Sequence, residues 1–247
     1  MGASLAVPLM GCVVPGEDDG TTAVTADLVS TNGLQTVNGL NTVNGLQTVN
    51  GLQSYTGLMT TDIGRTEVAY LVHCALPLGT SIVKQDQNGV SYTFPGALGM
   101  APAWQNGACD QTCQENVSAC MLASVNTAGI HVPLWIVAPN TAVGWGQDPS
   151  YPNQEATFFG NVFTMGAHGT TSTAYPMFYC AGPQIKTNPP TGRLGSAQVN
   201  PPYVNALGAQ YALCKTPTCT AADYPHAADG FKACSGWNNP VTVWRQK

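Results

Sequence analysis

The sequence predicts a mainly β protein of the α+β class, in which one disulfide-stapled domain carries a single buried helix and follows a repeat tether. Three observations support this class. Short runs of β-branched and aromatic residues recur between Gly, Pro and Asn. A single segment has apolar residues at helical spacing. Nine cysteines are present, and an even eight are left once one isolated N-terminal cysteine is set aside.

The composition limits the classes of function. The 247 residues suit one sizeable domain, and only 9% of them are charged, against about a quarter in ordinary soluble proteins. Such a surface is covered by neutral polar groups, which is typical of secreted bacterial proteins. The net charge is −5 and no basic cluster occurs, so we expect no nucleic-acid partner. We expect no cofactor and no metal.

Residues 1–12 are interpreted as a truncated lipoprotein signal. The motif Leu9-Met10-Gly11-Cys12 resembles the bacterial lipobox, in which the cysteine is lipidated and becomes the N-terminus. The stretch before it is short and lacks a basic residue, so either translation starts upstream or the match is accidental and Cys12 is a free or buried thiol. Val13 follows in place of Asp, which implies delivery to the outer membrane or cell surface. The lipid would then be the protein's only membrane contact.

Two segments precede the domain. Residues 13–31 carry four acids and no base, and they are expected to form a flexible tether. Residues 32–61 repeat with a period of six, as NGLQTV-NGLNTV-NGLQTV-NGLQSY-TGLMTT. Asn, Gly and Thr are poor helix formers, so the repeat is not a helix. We expect it to be an extended tether that docks near Tyr55, while regularly spaced Leu and Val leave open a short solenoid-like element docked on the domain.

The domain itself is assigned to residues 62–247. Strands are predicted at 67–74, 80–84, 90–94, 132–138, 157–163, 175–180 and 241–245. Asn88-Gly89 between two β-rich runs is a hairpin signal. The single helix is predicted to begin with the capping box Thr112-x-x-Glu115 and to place Cys113 and Cys120 toward the core. These two cysteines are too far apart to bond each other, so each is expected to pair elsewhere.

The eight domain cysteines are interpreted as four disulfides of undetermined pairing. Zinc is the alternative, since two of the spacings would suit it loosely, but no CxxC motif occurs and histidine is scarce. The eight residues are Cys74, Cys109, Cys113, Cys120, Cys180, Cys214, Cys219 and Cys234.

A family resemblance rests on the runs YLVHCALPLGTSI, CDQTCQENVSACMLASVNTAGIHVPLWI, AVGWG and YPNQEATFFGN. In these the chain resembles a family of cysteine-rich secreted proteins of myxobacteria and their relatives, over most of residues 30–247. Members of that family often carry Asn-Gly-Leu repeats after a lipoprotein signal. The resemblance implies export and disulfides, and it supplies no catalytic residues.

The candidate site residues fall into two sets. Asp148 and Glu155 could flank a sugar bond as the paired carboxylates of a glycoside hydrolase, and His168 between glycines could act as a base. Trp104, Trp145 and Tyr151 lie near Asn, Gln and Gly, a combination that suits sugar rings. Each residue also has a structural interpretation, as a turn Asp, a buried Glu, a surface His or a core aromatic.

Three functions remain open at this stage. The first is a lipid-anchored surface module that binds polysaccharide or an envelope component. The second is a secreted polysaccharide hydrolase, and the third is a structural coat protein. Paired carboxylates in a cleft would favour the hydrolase, and an aromatic face without them would favour binding.

Overall fold

A computed structural model describes residues 23–26, 42–47, 52, 57–126, 132–146, 148–164, 177–182, 193–194, 197–198, 203–204, 210–211, 214, 219–221, 230–234 and 236–246. Within these residues the chain forms a large sheet, two α-helices and four disulfides, which agrees with an α+β class. Cys12 and His168 lie outside the described residues, so the predictions for them stay predictions.

Eight strands form the central sheet, and four others form two hairpins. In spatial order the central sheet consists of β1 (Ala23–Ala26), β4 (Val132–Val137), β12 (Val241–Arg245), β5 (Asn153–Gly160), β6 (Met177–Ala181), β9 (Gln210–Tyr211), β8 (Tyr203–Val204) and β7 (Ala197–Gln198). The hairpins are β2 (Ser81–Gln85) with β3 (Ser91–Pro95), and β10 (Cys219–Ala221) with β11 (Phe231–Cys234). All pairs are antiparallel except β6 with β9.

The predicted strand at residues 67–74 is wrong, because this segment belongs to helix α1 (Asp62–Ala75). The Thr61 side chain caps the helix by accepting a hydrogen bond from the Gly64 amide at 3.0 Å. The buried positions recur every three or four residues, which places them on one helical face against the second helix. Its β-branched residues favour a strand locally, but tertiary packing overrides that preference.

Helix α2 (Gln111–Ala123) confirms the predicted helix but not its cap. Asp110 caps it by accepting from the Cys113 amide at 2.8 Å, so the Thr112 capping box does not form. The Glu115 side chain instead accepts hydrogen bonds from the side-chain amides of Gln111 and Asn239, both at 2.9 Å. Because every residue from Glu115 to Ala123 is buried, α2 is the centre of the core.

The hairpin β2–β3 confirms the Asn-Gly signal. Gly89 adopts a φ of 78°, which a side chain would disfavour. The Asp86 carboxylate organises the turn by accepting from the Asn88 amide at 2.8 Å and the Val90 amide at 3.0 Å. Burial acts to raise the pKa of Asp86, but these amides, the Tyr92 hydroxyl and the nearby Arg65 charge outweigh burial and lower the pKa.

The repeat docks on the core through its leucines where the structure describes it. The docking expected near Tyr55 extends upstream to residues 42–47, for which an extended tether is predicted. Leu46, Leu52 and Leu58, one from each successive hexad, are each only 3% exposed and pack with the helices. Val43, midway between two of the repeat leucines, is 66% exposed. In these three hexads the leucine is therefore the docking residue, and Leu58 leads directly into α1.

The acidic segment also departs from the expected tether. Within residues 13–31, β1 (Ala23–Ala26) pairs with β4 and extends the central sheet at one edge. The short run Ala-Val-Thr-Ala is a fair strand sequence, but three consecutive acids before it and one after it conceal the pattern. Both upstream segments therefore contribute elements to the fold, on the N-terminal side of the boundary predicted at residue 62.

The two faces of the central sheet are covered by different parts of the chain. On one face α1, α2 and the repeat leucines pack in a single cluster against alternate strand residues, among them Leu134, Ile136 and Phe158. Their neighbours along the strands point to the opposite face. There Val137 and Trp244 join one small cluster, and Phe159 and Cys180 join another.

Candidate functional site

An aromatic cluster lies on the sheet face opposite the helices. Tyr151 and Trp244 are 7% and 2% exposed and form its base with Val137. Trp135 and Trp145 are half-buried and pack against that base. Trp135 and Trp244 are directly opposite each other across β4 and β12, so the pairing of two strands places the aromatic residues together. We call Trp135, Trp145 and Tyr151 the aromatic face.

Hydrogen bonds hold the aromatic face in a fixed shape. The Trp135 indole N–H donates to the Gly146 carbonyl at 2.7 Å, which ties the ring to the loop after β4. The ring centroids of Trp135 and Tyr151 are 5.9 Å apart and their planes differ by 33°. Gly144 has a φ of 74° and its carbonyl accepts from the Ala138 amide at 2.8 Å, so the loop folds back over the sheet.

Asp148 shapes this loop through two hydrogen bonds to the backbone. Its Oδ1 atom accepts from the Ser150 amide at 2.7 Å, and its carbonyl accepts from the Tyr151 amide at 2.9 Å. This is an Asx turn, in which a short carboxylate side chain bonds the backbone two residues later. The turn directs Tyr151 into the aromatic cluster, so Asp148 positions the face.

Glu155 is buried in an ion network, with 1% of its surface exposed. Its Oε2 atom accepts from Arg193 Nε at 2.8 Å and also pairs with Arg193 Nη2, and its Oε1 atom lies 3.2 Å from Arg245 Nη1. Arg193 Nη1 donates to the Val125 carbonyl, just after α2. Burial lowers the pKa of Arg193, while the Glu155 charge acts in the opposite direction.

A β-bulge explains why Glu155 can reach these arginines. Val243 pairs with Ala156 and Trp244 pairs with Gln154, so Glu155 is the extra residue on β5. A bulge turns a side chain away from the regular alternation. Gly182 lies against this strand and its amide donates to the Glu155 carbonyl at 2.7 Å. The bulge therefore builds a structural cross-link between β5, β12 and the end of α2.

Both carboxylates of the predicted catalytic pair, Asp148 and Glu155, are engaged in contacts that stabilise the fold. Glu155 is enclosed by two guanidinium groups, and Asp148 holds a turn. A glycoside hydrolase needs both carboxyl groups at the sugar bond, one of them ready to donate a proton. The described geometry of Asp148 and Glu155 offers no such pair.

Trp104, predicted as a binding residue, lies in the core with 1% of its surface exposed. Its indole N–H donates to the Asn44 carbonyl at 3.2 Å, and its ring meets Phe163 edge-on at 5.5 Å. It is separate from the cluster that contains Trp145 and Tyr151. The binding prediction for Trp104 is therefore wrong, because a tryptophan is buried on average and neutral polar neighbours do not bring it to the surface.

The cysteines pair as the count of eight suggests. The bonds are Cys74–Cys120, Cys109–Cys113, Cys180–Cys214 and Cys219–Cys234. The Sγ atoms of Cys214, Cys219 and Cys234 lie within 4.8 Å of one another. As disulfides these three cysteines present no thiolate to a metal.

Sequence reasoning missed three residues that define this region: Trp135, Arg193 and Arg245. Trp135 could have been found from the alternation in its strand, where Val132, Leu134 and Ile136 are the inward positions. The arginines carry no local signal, since their partner Glu155 is 38 and 90 residues away in the chain.

No protein-family model, curated protein or solved structure matches the chain. In the described part of the chain, no helix is both long enough and apolar enough to cross a membrane.

Proposed function

We propose that the protein is an exported module that binds glycans or another envelope component through the aromatic face. The observation that carries the proposal is the pair of half-exposed indoles, Trp135 and Trp145, held on a rigid sheet beside Tyr151. Four disulfides are compatible with an exported protein. Export, family membership and attachment through a lipid on Cys12 are parts of the same proposal.

The chemistry of the aromatic face fits a sugar ring. Indole rings offer flat apolar surfaces, and the C–H face of a pyranose can stack on them while its hydroxyls contact polar neighbours. Asn153 lies at the start of β5 and its side-chain amide donates to the Gln246 carbonyl at 3.4 Å. Such neutral amides provide hydrogen bonds without the cost of removing water from a charge.

The test of binding is affinity electrophoresis in gels that contain soluble polysaccharides, with pull-down on isolated peptidoglycan. The wild-type protein is expected to be retarded by at least one of these glycans. Trp135→Ala and Trp145→Ala are expected to weaken that retention at least tenfold. Trp237→Ala is the matched control, because Trp237 is also half-buried but packs against the cysteine cluster on another part of the sheet. Equal losses from all three variants would contradict the proposal.

The anchor is tested separately on the full chain in a bacterial host. Cys12→Ser is expected to move the protein from the membrane fraction to the soluble exported fraction without changing its melting temperature. Membrane attachment that survives the substitution would rule out Cys12 as the anchor.

The hydrolase is the second candidate, and the same glycan panel tests it. New reducing ends after incubation would favour a hydrolase, and Glu155→Gln should then abolish them. The burial of Glu155 between Arg193 and Arg245 argues against this outcome. A protein that binds no glycan and releases no reducing ends would leave the structural coat protein as the better interpretation.

A further inference from the structure

Residues 42–47, where the second hexad of the repeat meets the third (residues 44–49), are docked by a defined set of groups. The Leu46 amide donates to the Trp104 carbonyl at 2.8 Å, and the Gln47 amide donates to the Gln105 carbonyl at 3.0 Å. The Trp104 indole donates to the Asn44 carbonyl at 3.2 Å. We call this surface the hexad slot; its groups are supplied by Lys84, Trp104, Gln105, Asn106, Cys109 and Gln114.

The hexad slot also holds the residues on either side of Leu46. The Cys109 amide donates to the Thr42 carbonyl at 2.7 Å, and Gln114 Nε2 donates to the Thr42 hydroxyl at 3.1 Å. Lys84 Nζ donates to the Gln47 carbonyl at 3.1 Å. All of these contacts except that of the Thr42 hydroxyl use backbone atoms of the repeat.

Side-chain requirements in the hexad slot are therefore few. Leu46 fills the core and Gly45 permits close approach, because a Cβ atom built on Gly45 would lie 2.5 Å from the Asn106 carbonyl carbon. A segment fits if it has a hydroxyl residue at the position of Thr42, followed three and four residues later by Gly and Leu.

The chain contains the same pattern six residues upstream. Thr36 stands in the place of Thr42, and Gly39-Leu40 in the place of Gly45-Leu46. Gln47 is replaced by Asn41, which serves equally because only backbone atoms of Gln47 are used. We propose that the second hexad of the same chain, residues 38–43, can occupy the hexad slot in place of the third by a shift of six residues.

The cost of the shift is a change in loop lengths. The segment between the slot and Leu52 grows from four residues to ten, which lowers the population of the shifted register about fourfold by loop-closure entropy. The upstream connection to β1 shortens to nine residues, which still reach about 30 Å when extended. A spare hexad can therefore replace a damaged one at small cost, whereas Leu58 has no such replacement because it leads straight into α1.

The experiment is a double-mutant cycle on the full chain, read by urea denaturation. The first arm is Leu46→Ala in the native repeat, and the second is Leu46→Ala combined with Leu34→Ser and Leu40→Ser, which removes the spare leucines and keeps the chain length. We expect Leu46→Ala to raise the unfolding equilibrium constant about fourfold in the native repeat and at least about 30-fold without spares. Leu58→Ala is the control, with equal effects in both repeats.

Hydrogen exchange gives a second readout that does not depend on the triple variant folding. In Leu46→Ala, the amide of Leu40 should gain protection relative to the wild type as it takes the place of the Leu46 amide. Equal effects of Leu46→Ala in both repeats, or no gain of protection at Leu40, would overturn the proposal. The proposal would also be overturned if the effect of Leu46→Ala in the native repeat became smaller as the protein concentration rises. The replacing hexad would then come from a second copy of the chain.

Discussion

The two faces of the central sheet are built on different principles. The helix face is one continuous apolar cluster that extends from the repeat leucines through α1 and α2 to the strands. The opposite face is divided between the aromatic cluster and a patch of paired cysteines around Phe159. The helix face buries its largest side chains completely, whereas the aromatic face leaves two tryptophans half-exposed.

This difference separates stability from the proposed function. Buried apolar area supplies most of the folding free energy, so the helix face should dominate stability. A face with half-exposed aromatic rings gains less from folding and has surface left for a ligand. The chain also keeps many of its few charges inside, since Glu67, Lys84, Asp86, Glu115, Glu155 and Arg193 are all buried.

The largest effect is expected where a buried charge would lose its partner. Glu155→Gln should lower the free energy of unfolding by about 3–5 kcal/mol, because Arg193 would stay buried without a counter-charge. Glu115→Gln is the matched control: Glu115 is also buried, but its partners are neutral amides, so a cost of about 1–2 kcal/mol is expected. Urea denaturation measures both, and similar costs would show that the ion network is not special.

The next effect concerns two disulfides on the helix face. Cys74–Cys120 closes 46 residues and joins α1 to α2, whereas Cys109–Cys113 closes only four at the start of α2. The chain-entropy model gives losses of about 4 and about 2 kcal/mol for the respective double alanine variants. Thermal unfolding of both variants checks this order. A larger loss from the short bridge would indicate that native-state geometry outweighs loop entropy.

The sequence predicted the strands better than the helices, and the reason is local. The segments of β4, β5, β6 and β12 each carry apolar runs between turn residues, so a few neighbouring residues are enough to predict each strand. The segment of α1 has the same β-rich composition. What makes it a helix is the Thr61 cap and packing against α2, to which Cys74 is bonded. That contact joins residues 46 apart and leaves no trace in the local pattern.

The candidate site was predicted in part for the same reason. Trp145 and Tyr151 are close in sequence and share a loop, so their composition indicated an aromatic surface. Trp104 has similar neighbours in the sequence, but the burial of its side chain involves the repeat, in which its partner Asn44 lies 60 residues away. Regularly spaced Leu and Val indicated docking of the repeat only as an alternative, because the hydrogen bonds that hold it are made mainly by its backbone.

A smaller, pH-dependent effect is expected from His73 on α1. Burial lowers its pKa to about 4, so the folded state favours the neutral imidazole. Its contribution to stability is therefore complete above about pH 6.5 and is lost as the pH falls from 6.5 toward 4, by up to about 3 kcal/mol. The stability of His73→Gln should fall less over this range than that of the wild type. Parallel pH profiles would contradict the assignment.

The smallest effect on stability is expected at the aromatic face. It tests whether one face of the sheet supplies stability and the other supplies binding. Trp145→Ala removes a half-exposed ring and should cost about 1 kcal/mol, a fraction of the roughly 3–5 kcal/mol expected for a buried tryptophan. Trp104→Ala supplies that comparison, since Trp104 is 1% exposed and also holds the repeat through Asn44.

Both variants are measured by urea denaturation and by glycan retention under conditions where each is folded. Trp145→Ala should retain its stability and lose binding, whereas Trp104→Ala should lose stability and retain binding. If Trp145→Ala costs as much stability as Trp104→Ala, the aromatic face is a second core, and its half-exposed rings no longer argue for a ligand. The two tryptophans have similar sequence surroundings but pack in different clusters, so a difference between them is explained by their packing.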